Sequence, residues 1–404
     1  MLNDDKNSHI KEIAEELAKE GIYIFHVSEY KQDLTNKYDH KDFKTYIWYE
    51  SVTSHNEAEK LIYITNKGIT NADDYLLKIR ADSICDNTRF LRVFLKRRLN
   101  LEKTGRTWSL SNHFKSDMFE SYLQKLNKNK YNKCKEIPYG FTFLNEPSGF
   151  CIKEKFGNII IISETLKYFL YYMNLFIFGE SFGISPQDLI SSFMIAIRVM
   201  LKTEALDFDL DSRGKLPSDI DNYLTCQVQR QIEFVIGHEY AHHSLGHLKT
   251  KNIASCTPEK MLGIKSNKQI NYYLKSQKQE LEADLHSIKD MKCETEEKNE
   301  IVNAAFIFFI ALDLYETVNN CISPNNRIST HPPALKRLSE LRKKIHNKFG
   351  YSTDILNNFI EQMNEFKIFL NTELIPYNFD NFEMYGSIYL PSFREKILID
   401  RVDY

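Results

Sequence analysis

The stretch from 231 to 248 constrains this chain more than any other. It reads Gln-Ile-Glu-Phe-Val-Ile-Gly-His-Glu-Tyr-Ala-His-His-Ser-Leu-Gly-His-Leu, with apolar residues at helical spacing and no proline. This spacing predicts a buried helix. Residues four apart lie on the same face of a helix, so the imidazoles of His238 and His242 are expected to point at one spot.

Two histidines in this arrangement make up half of a tetrahedral zinc site. Glu239 follows the first histidine, where its carboxylate could take a proton from a metal-bound water as that water attacks a carbonyl. A short motif also arises by chance, and two buried histidines can be ordinary residues of a polar core. A third ligand is therefore needed to decide between the two interpretations.

A candidate third ligand lies in Gln-Glu-Leu-Glu-Ala-Asp, residues 279–284. On a helix, Glu280 and Asp284 share a face, whereas Glu282 points elsewhere. Glu280 would complete a set of three protein ligands, and Asp284 could accept the free ring N–H of a ligand histidine. The alternative is an acidic helix facing solvent, which fits Glu282 better than the apolar residues between the acids. His247 remains an alternative ligand.

A third feature is Ser-Thr-His-Pro-Pro-Ala-Leu-Lys-Arg-Leu, residues 329–338. The two prolines suit the first turn of a helix and leave His331 on the preceding loop. From there His331 could donate to the oxyanion that forms on a scissile carbonyl. Arg337 could pair with a nearby carboxylate. The alternative is a histidine beside a proline turn with no catalytic role.

Composition limits the class of protein and its compartment. The 404 residues carry a formal net charge of −2 and 42% hydrophobic residues, as in an ordinary soluble protein with no overall attraction to nucleic acid. Seven scattered cysteines without a Cys-x-x-Cys pair favour a reducing compartment. The polar start is unlike a signal peptide. Two apolar stretches, 159–181 and 301–315, are expected in the core, so we expect a cytoplasmic protein without a membrane span.

The first 130 residues are predicted to form an α/β accessory region of unknown role. The pattern favours a helix at 8–20 and strands at 21–27, 45–49 and 61–65. The basic stretch 88–99 favours a solvated helix face over a nucleic-acid patch. We place an exposed linker at 125–136.

The remainder is predicted to be a metallopeptidase domain, 131–348, and a C-terminal tail, 349–404. A hairpin at 149–163 could be a core element, or its strand could pair with extended substrate. Further predictions are helices at 164–178, 186–205, 218–249, 269–292 and 353–371, a lid or loop at 249–268, and an extended segment from 385. That last segment could pack on the domain or occupy the cleft.

Three segments together resemble the HtpX, BepA and CAAX-prenyl-endopeptidase group of gluzincin zinc metallopeptidases. They are 237–247, 280–284 and 329–338, in the order found in that group, and the resemblance covers about 130–345. It implies a mostly helical α+β, zincin-like fold with an active-site helix and a small sheet. It also implies one zinc held by His238, His242 and Glu280, with Glu239 as general base. Asp284 would orient a ligand histidine, and His331 would contact the substrate or oxyanion.

We therefore expect a zinc endopeptidase that acts on a protein or peptide substrate. Members of that group are often membrane-embedded or exported, whereas this sequence suggests a soluble variant. A phage-exclusion protease with the same His-Glu-x-x-His motif is similar in being soluble, which suggests a bacterial regulatory or defence role. Two alternatives stay open: a catalytically silent, zinc-stabilised sensor or interaction module, and a DNA-linked regulator that uses the basic helix.

Overall fold

The computed structural model describes residues 40–247, 253–256, 270–273, 277–323 and 332–393. The predicted helix at 8–20, the predicted strand at 21–27 and His331 lie outside these residues.

The described N-terminal residues form helices where strands were predicted. Seven helices follow one another: α1 (His40–Glu50), α2 (His55–Lys67), α3 (Ala72–Cys85), α4 (Thr88–Glu102), α5 (Leu110–His113), α6 (Asp117–Lys125) and α7 (Lys128–Cys134). The predicted strands at 45–49 and 61–65 are therefore wrong. At the start of α2, Ser54 and Glu57 form a reciprocal capping box, a helix-start signal that the short β-branched run hid.

The linker predicted at 125–136 is also wrong, because most of it is α7. Asn127 caps this helix by accepting a hydrogen bond from the backbone N–H of Lys130. The basic stretch at 88–99 lies on α4, as predicted. Arg97 of α4 pairs with Glu164 and Asp209 inside the fold, so part of the basic face is engaged within the protein.

A three-stranded sheet follows α7, consisting of β1 (Tyr139–Thr142), β2 (Gly149–Glu154) and β3 (Gly157–Ser163). The strand order is β1-β3-β2; β1 runs parallel to β3, and β2 runs antiparallel to it. Gly157 adopts a φ of 137° at the turn between β2 and β3, a conformation that favours glycine. The predicted hairpin is confirmed.

The other elements carry the metal motif and its surroundings. They are α8 (Thr165–Phe178), α9 (Pro186–Leu201), α10 (Ser218–Ser244), β4 (Ile253–Cys256), β5 (Ile270–Tyr273), α11 (Gln277–Lys289), α12 (Thr295–Ile322), α13 (Ala334–Lys344), α14 (Thr353–Phe369) and α15 (Ile375–Glu383). The helix predicted at 269–292 starts too early, because its first residues are β5. That strand pairs antiparallel with β4, which lies in the predicted lid or loop.

Buried apolar side chains of the described residues form one large cluster that extends from α1 to the tail. Within it, α10 packs against α8, α11, α12 and β2. The mostly helical α+β fold is therefore confirmed. The boundaries proposed near 130 and 348 stay predictions, and the shared core crosses both of them.

Helix α12 is long and apolar enough to span a membrane by length and composition alone. Most of its apolar stretch is buried inside the fold, including every residue from 304 to 311. A core helix shows the same burial, which agrees with the expectation for 301–315.

The described part of the tail packs on the domain. Leu390 donates its backbone N–H to the Arg213 carbonyl, and Ser392 donates to the Asp188 carboxylate. Arg213 is fully buried and pairs with Glu204 and Asp207 at 2.9 and 2.8 Å. Of the two alternatives for the extended segment, packing on the domain is the one observed up to residue 393.

Candidate metal centre

The second half of α10 presents the motif residues in a buried environment. His238, Glu239 and His242 are 5%, 4% and 0% exposed. The helix is 27 residues long, and its apolar positions pack into the main core. This burial agrees with the helical spacing of its apolar residues and removes the site from bulk water.

Three donor atoms converge at this point. The Nε2 atoms of His238 and His242 are 3.0 Å apart. Glu280, from α11, places one carboxylate oxygen 3.4 Å from His238 Nε2 and the other 3.3 Å from His242 Nε2. The three residues offer ligand atoms that all lie within 4.8 Å of one another, and all three are buried. The structure therefore brings together the three predicted ligands.

This donor set fits a zinc ion. Two imidazole nitrogens and one carboxylate oxygen are a ligand combination that zinc uses in catalytic sites, which keep a further position for water. Burial opposes protonation of His238, but its hydrogen bonds to Asp284 and Glu280 outweigh burial and raise its pKa to about 9. The surroundings therefore favour a positive charge at this ring, whether a proton or a metal ion supplies it.

Behind His238 lies a buried ion pair between Asp284 and Arg337. The Nδ1 atom of His238 is 2.9 Å from Asp284 Oδ1, and Arg337 of α13 donates to both Asp284 oxygens at 2.8 and 2.6 Å. Burial alone would raise the pKa of Asp284, but the Arg337 guanidinium outweighs it and holds this pKa below its usual range. Asp284 thus stays ionised and accepts a hydrogen bond from the ring N–H of His238, which fixes the orientation of the ring. The contact of Arg337 with Asp284 agrees with the expectation that Arg337 pairs with a nearby carboxylate.

Behind His242 lies a different arrangement. His242 Nδ1 is 3.0 Å from Nδ1 of His247, and His247 Nε2 is 3.3 Å from Glu282 Oε2. His247 therefore stands on the far side of the His242 ring from Glu280, and the three-residue donor group does not include it. Among the described residues, the alternative of His247 as a ligand is not supported. The sequence analysis placed Glu282 on a solvent-facing side of the helix, so its contact with His247 was not predicted.

Glu239 lies against the first residue of β2. A Cβ added to Gly149 would be 3.2 Å from Glu239 Cγ, 3.0 Å from a Val235 methyl carbon and 2.9 Å from Ile162 Cδ1. A side chain at this position would crowd Ile162, Val235 and Glu239, so glycine permits this close approach of β2 to α10. The predicted strand beside the metal helix is thus present, directly next to the candidate general base.

One residue that holds the site together was missed by the sequence analysis. Tyr122 of α6 is fully buried; its ring packs on Gly237, where a Cβ would come within 2.7 Å of it. Its hydroxyl donates to the Ser287 carbonyl on α11 at 3.1 Å. Tyr122 therefore touches both helices that carry the candidate ligands. A lone tyrosine far from the motif in sequence gives no signal of this role.

One comparison with known protein families agrees with the geometry. Residues 221–345 match the family model described as peptidase family M48. It is a family of zinc-dependent gluzincin metallopeptidases that includes HtpX-like proteins, and its peptidase domain has a zincin-like fold. No curated protein and no solved structure matches the chain. The resemblance seen in the sequence is thereby confirmed for this part of the chain.

Proposed function

We propose that this protein, whose residues 221–345 match peptidase family M48, is a zinc-dependent endopeptidase that holds one zinc per chain. The observation that carries the proposal is the convergence of His238, His242 and Glu280, with their ligand atoms within 4.8 Å of one another. Glu239 is next to the first of these residues in a buried position, which suits a proton acceptor rather than a ligand.

In this proposal each residue has one task. When bound, zinc would act as a Lewis acid and would lower the pKa of the water molecule at its open position towards ~7. Glu239 accepts the proton of the attacking water and passes it to the leaving amine. Asp284 holds the ring of His238 through its Nδ1, at 2.9 Å. His331 remains a predicted contact to the oxyanion.

The substrate is a protein or peptide, the kind of molecule on which a peptidase acts. Among the described strands β2 is hydrogen-bonded on one side only, by β3, and β5 lies near it. We propose that the other edge of β2 pairs with extended substrate backbone beside Glu239. A cytoplasmic location and a bacterial regulatory or defence role complete the proposal.

The experiment compares wild type, Glu239→Gln and Asp219→Asn on peptides prepared by digesting a bacterial proteome. Asp219 lies in the first turn of α10 and serves as a control on the same helix. Loss of a general base should lower cleavage by about 10²–10⁴-fold. Zinc content should stay unchanged, because Glu239 is not a ligand.

Two results would contradict these assignments. Loss of zinc in Glu239→Gln would make Glu239 a ligand, and full cleavage by that variant would remove it from catalysis. Wild-type protein that holds zinc and cleaves nothing in the mixture would favour the silent, zinc-stabilised module.

A further inference from the structure

The chain of polar contacts behind His242 fits one placement of the proton on that ring. His247 Nε2 faces a carboxylate oxygen of Glu282 at 3.3 Å, and a carboxylate can only accept, so this contact places an N–H at Nε2. With His247 neutral, that is its one N–H, and its Nδ1 is an acceptor. The opposing Nδ1 of His242, 3.0 Å away, must then be the donor.

This assignment leaves Nε2 of His242 with a lone pair. The same nitrogen is 3.3 Å from Glu280 and 3.0 Å from His238 Nε2, so the lone pair is directed at the donor group. In its other tautomer, or when doubly protonated, His242 would present an N–H there, and a flipped ring would present a C–H; neither group can bind a metal ion. His247 is buried, which limits competition from water for its ring nitrogens.

We infer that His247 and Glu282 are positioning residues that fix His242 in the tautomer and orientation needed for metal binding. The inference rests on the proposed function, since it takes the bound group to be a metal. It assigns a task to a carboxylate two residues after Glu280 on the same helix. The turn of α11 that supplies the third ligand thus also holds the second.

The test measures the zinc dissociation constant by competition with a chromophoric chelator, which needs no substrate. Partners behind a ligand histidine are typically worth about 10–100-fold in metal affinity. We expect a loss in that range for His247→Leu, which removes the acceptor. Asn can place its Oδ1 near the position of His Nδ1, so His247→Asn should stay within about threefold of wild type.

The second pair of variants acts at the end of the chain. Glu282→Leu removes the acceptor for His247 and should weaken zinc binding. Glu282→Gln keeps an acceptor oxygen and should weaken it less. Matched controls are His286→Gln, on the same helix and paired with Asp290, and Glu102→Gln, whose side chain is 40% exposed, close to the 41% of Glu282. Both controls should bind zinc as wild type does.

The outcomes separate the inference from the proposed function. A purely packing role predicts that His247→Leu retains affinity better than His247→Asn, and that result would overturn the inference. Zinc affinity equal to that of wild type in all four variants of His247 and Glu282 would also overturn the inference, while leaving the peptidase proposal intact. If His247→Leu does not fold, the ordering of the two Glu282 variants decides. A wild-type protein that binds no zinc would instead contradict the proposed function itself.

Discussion

The two histidines proposed as ligands lie one helical turn apart on α10, yet the groups behind them differ. His238 is held by the Asp284–Arg337 pair, two opposite charges that are 1% and 7% exposed. His242 is held by the His247–Glu282 pair, which ends in a carboxylate 41% exposed to solvent. One support is thus part of the folded core, and the other extends from the core to the surface. From this difference we expect the group behind His238 to contribute more to folding stability than the group behind His242.

The largest effect is expected when the buried pair is broken. Arg337→Met leaves the Asp284 charge buried without its guanidinium, so folding stability should fall by about 3–5 kcal/mol. Denaturant unfolding in the presence of a chelator measures this without a contribution from metal. The control Lys343→Met removes an exposed pair with Glu340 and should leave stability close to that of wild type, because exposed pairs contribute little. Equal effects of the two variants would contradict the difference drawn between core and surface.

Replacing both Asp284 and Arg337 separates the role of this pair in folding from its role in metal binding. Apolar residues in place of a buried ion pair are often neutral or stabilising. Asp284→Leu combined with Arg337→Met should therefore regain most of the lost stability. The zinc dissociation constant should stay about 10–100-fold higher than in wild type, because His238 has lost its hydrogen-bond acceptor. Recovery of zinc affinity together with stability would show that Asp284 acts only in folding.

The contact between α10 and the N-terminal helices gives a smaller effect. Gly237→Ala places a methyl group 2.7 Å from the Tyr122 ring, and such overpacking costs about 1–3 kcal/mol. Alanine favours the helix by about 1 kcal/mol relative to glycine, which offsets part of this cost. In a Tyr122→Leu background the same substitution should be neutral or stabilising. A destabilisation of equal size in both backgrounds would argue against this contact.

The smallest effect on folding is expected on the His242 side. Glu282→Leu should change the free energy of unfolding by less than about 1 kcal/mol, because a half-exposed ion pair contributes little. Its effect on zinc affinity should be the larger one. A loss of stability comparable to that of Arg337→Met would make the two supports alike and remove the contrast.

The sequence predicted the elements that periodicity or turn chemistry specify. Helix α10 has apolar residues at helical spacing without interruption, and the hairpin around Gly157 has an apolar run before the turn and a β-branched run after it. Local spacing also predicted that Glu280 and Asp284 share one face of their helix, because a sequence records such spacing directly. That this face meets α10 was implied by the resemblance to known metallopeptidases and not by local spacing.

The failures have a common physical cause. The runs at 45–49 and 61–65 contain aromatic and β-branched residues, but both are buried against neighbouring helices, and the second follows the capping box of α2. Tyr122 and the His247–Glu282 contact depend on side chains that are far apart in sequence. Such contacts arise from tertiary packing, and no local pattern in a single sequence encodes them.

We propose that His238, His242 and Glu280 together bind one zinc ion. Elemental analysis of purified wild type, Glu280→Ala and the control Glu102→Ala measures the zinc content that this predicts. We predict about one zinc per chain in wild type and in the control, and a sharp reduction in Glu280→Ala. Zinc retained by Glu280→Ala, or absent from wild type after reloading, would contradict the claim.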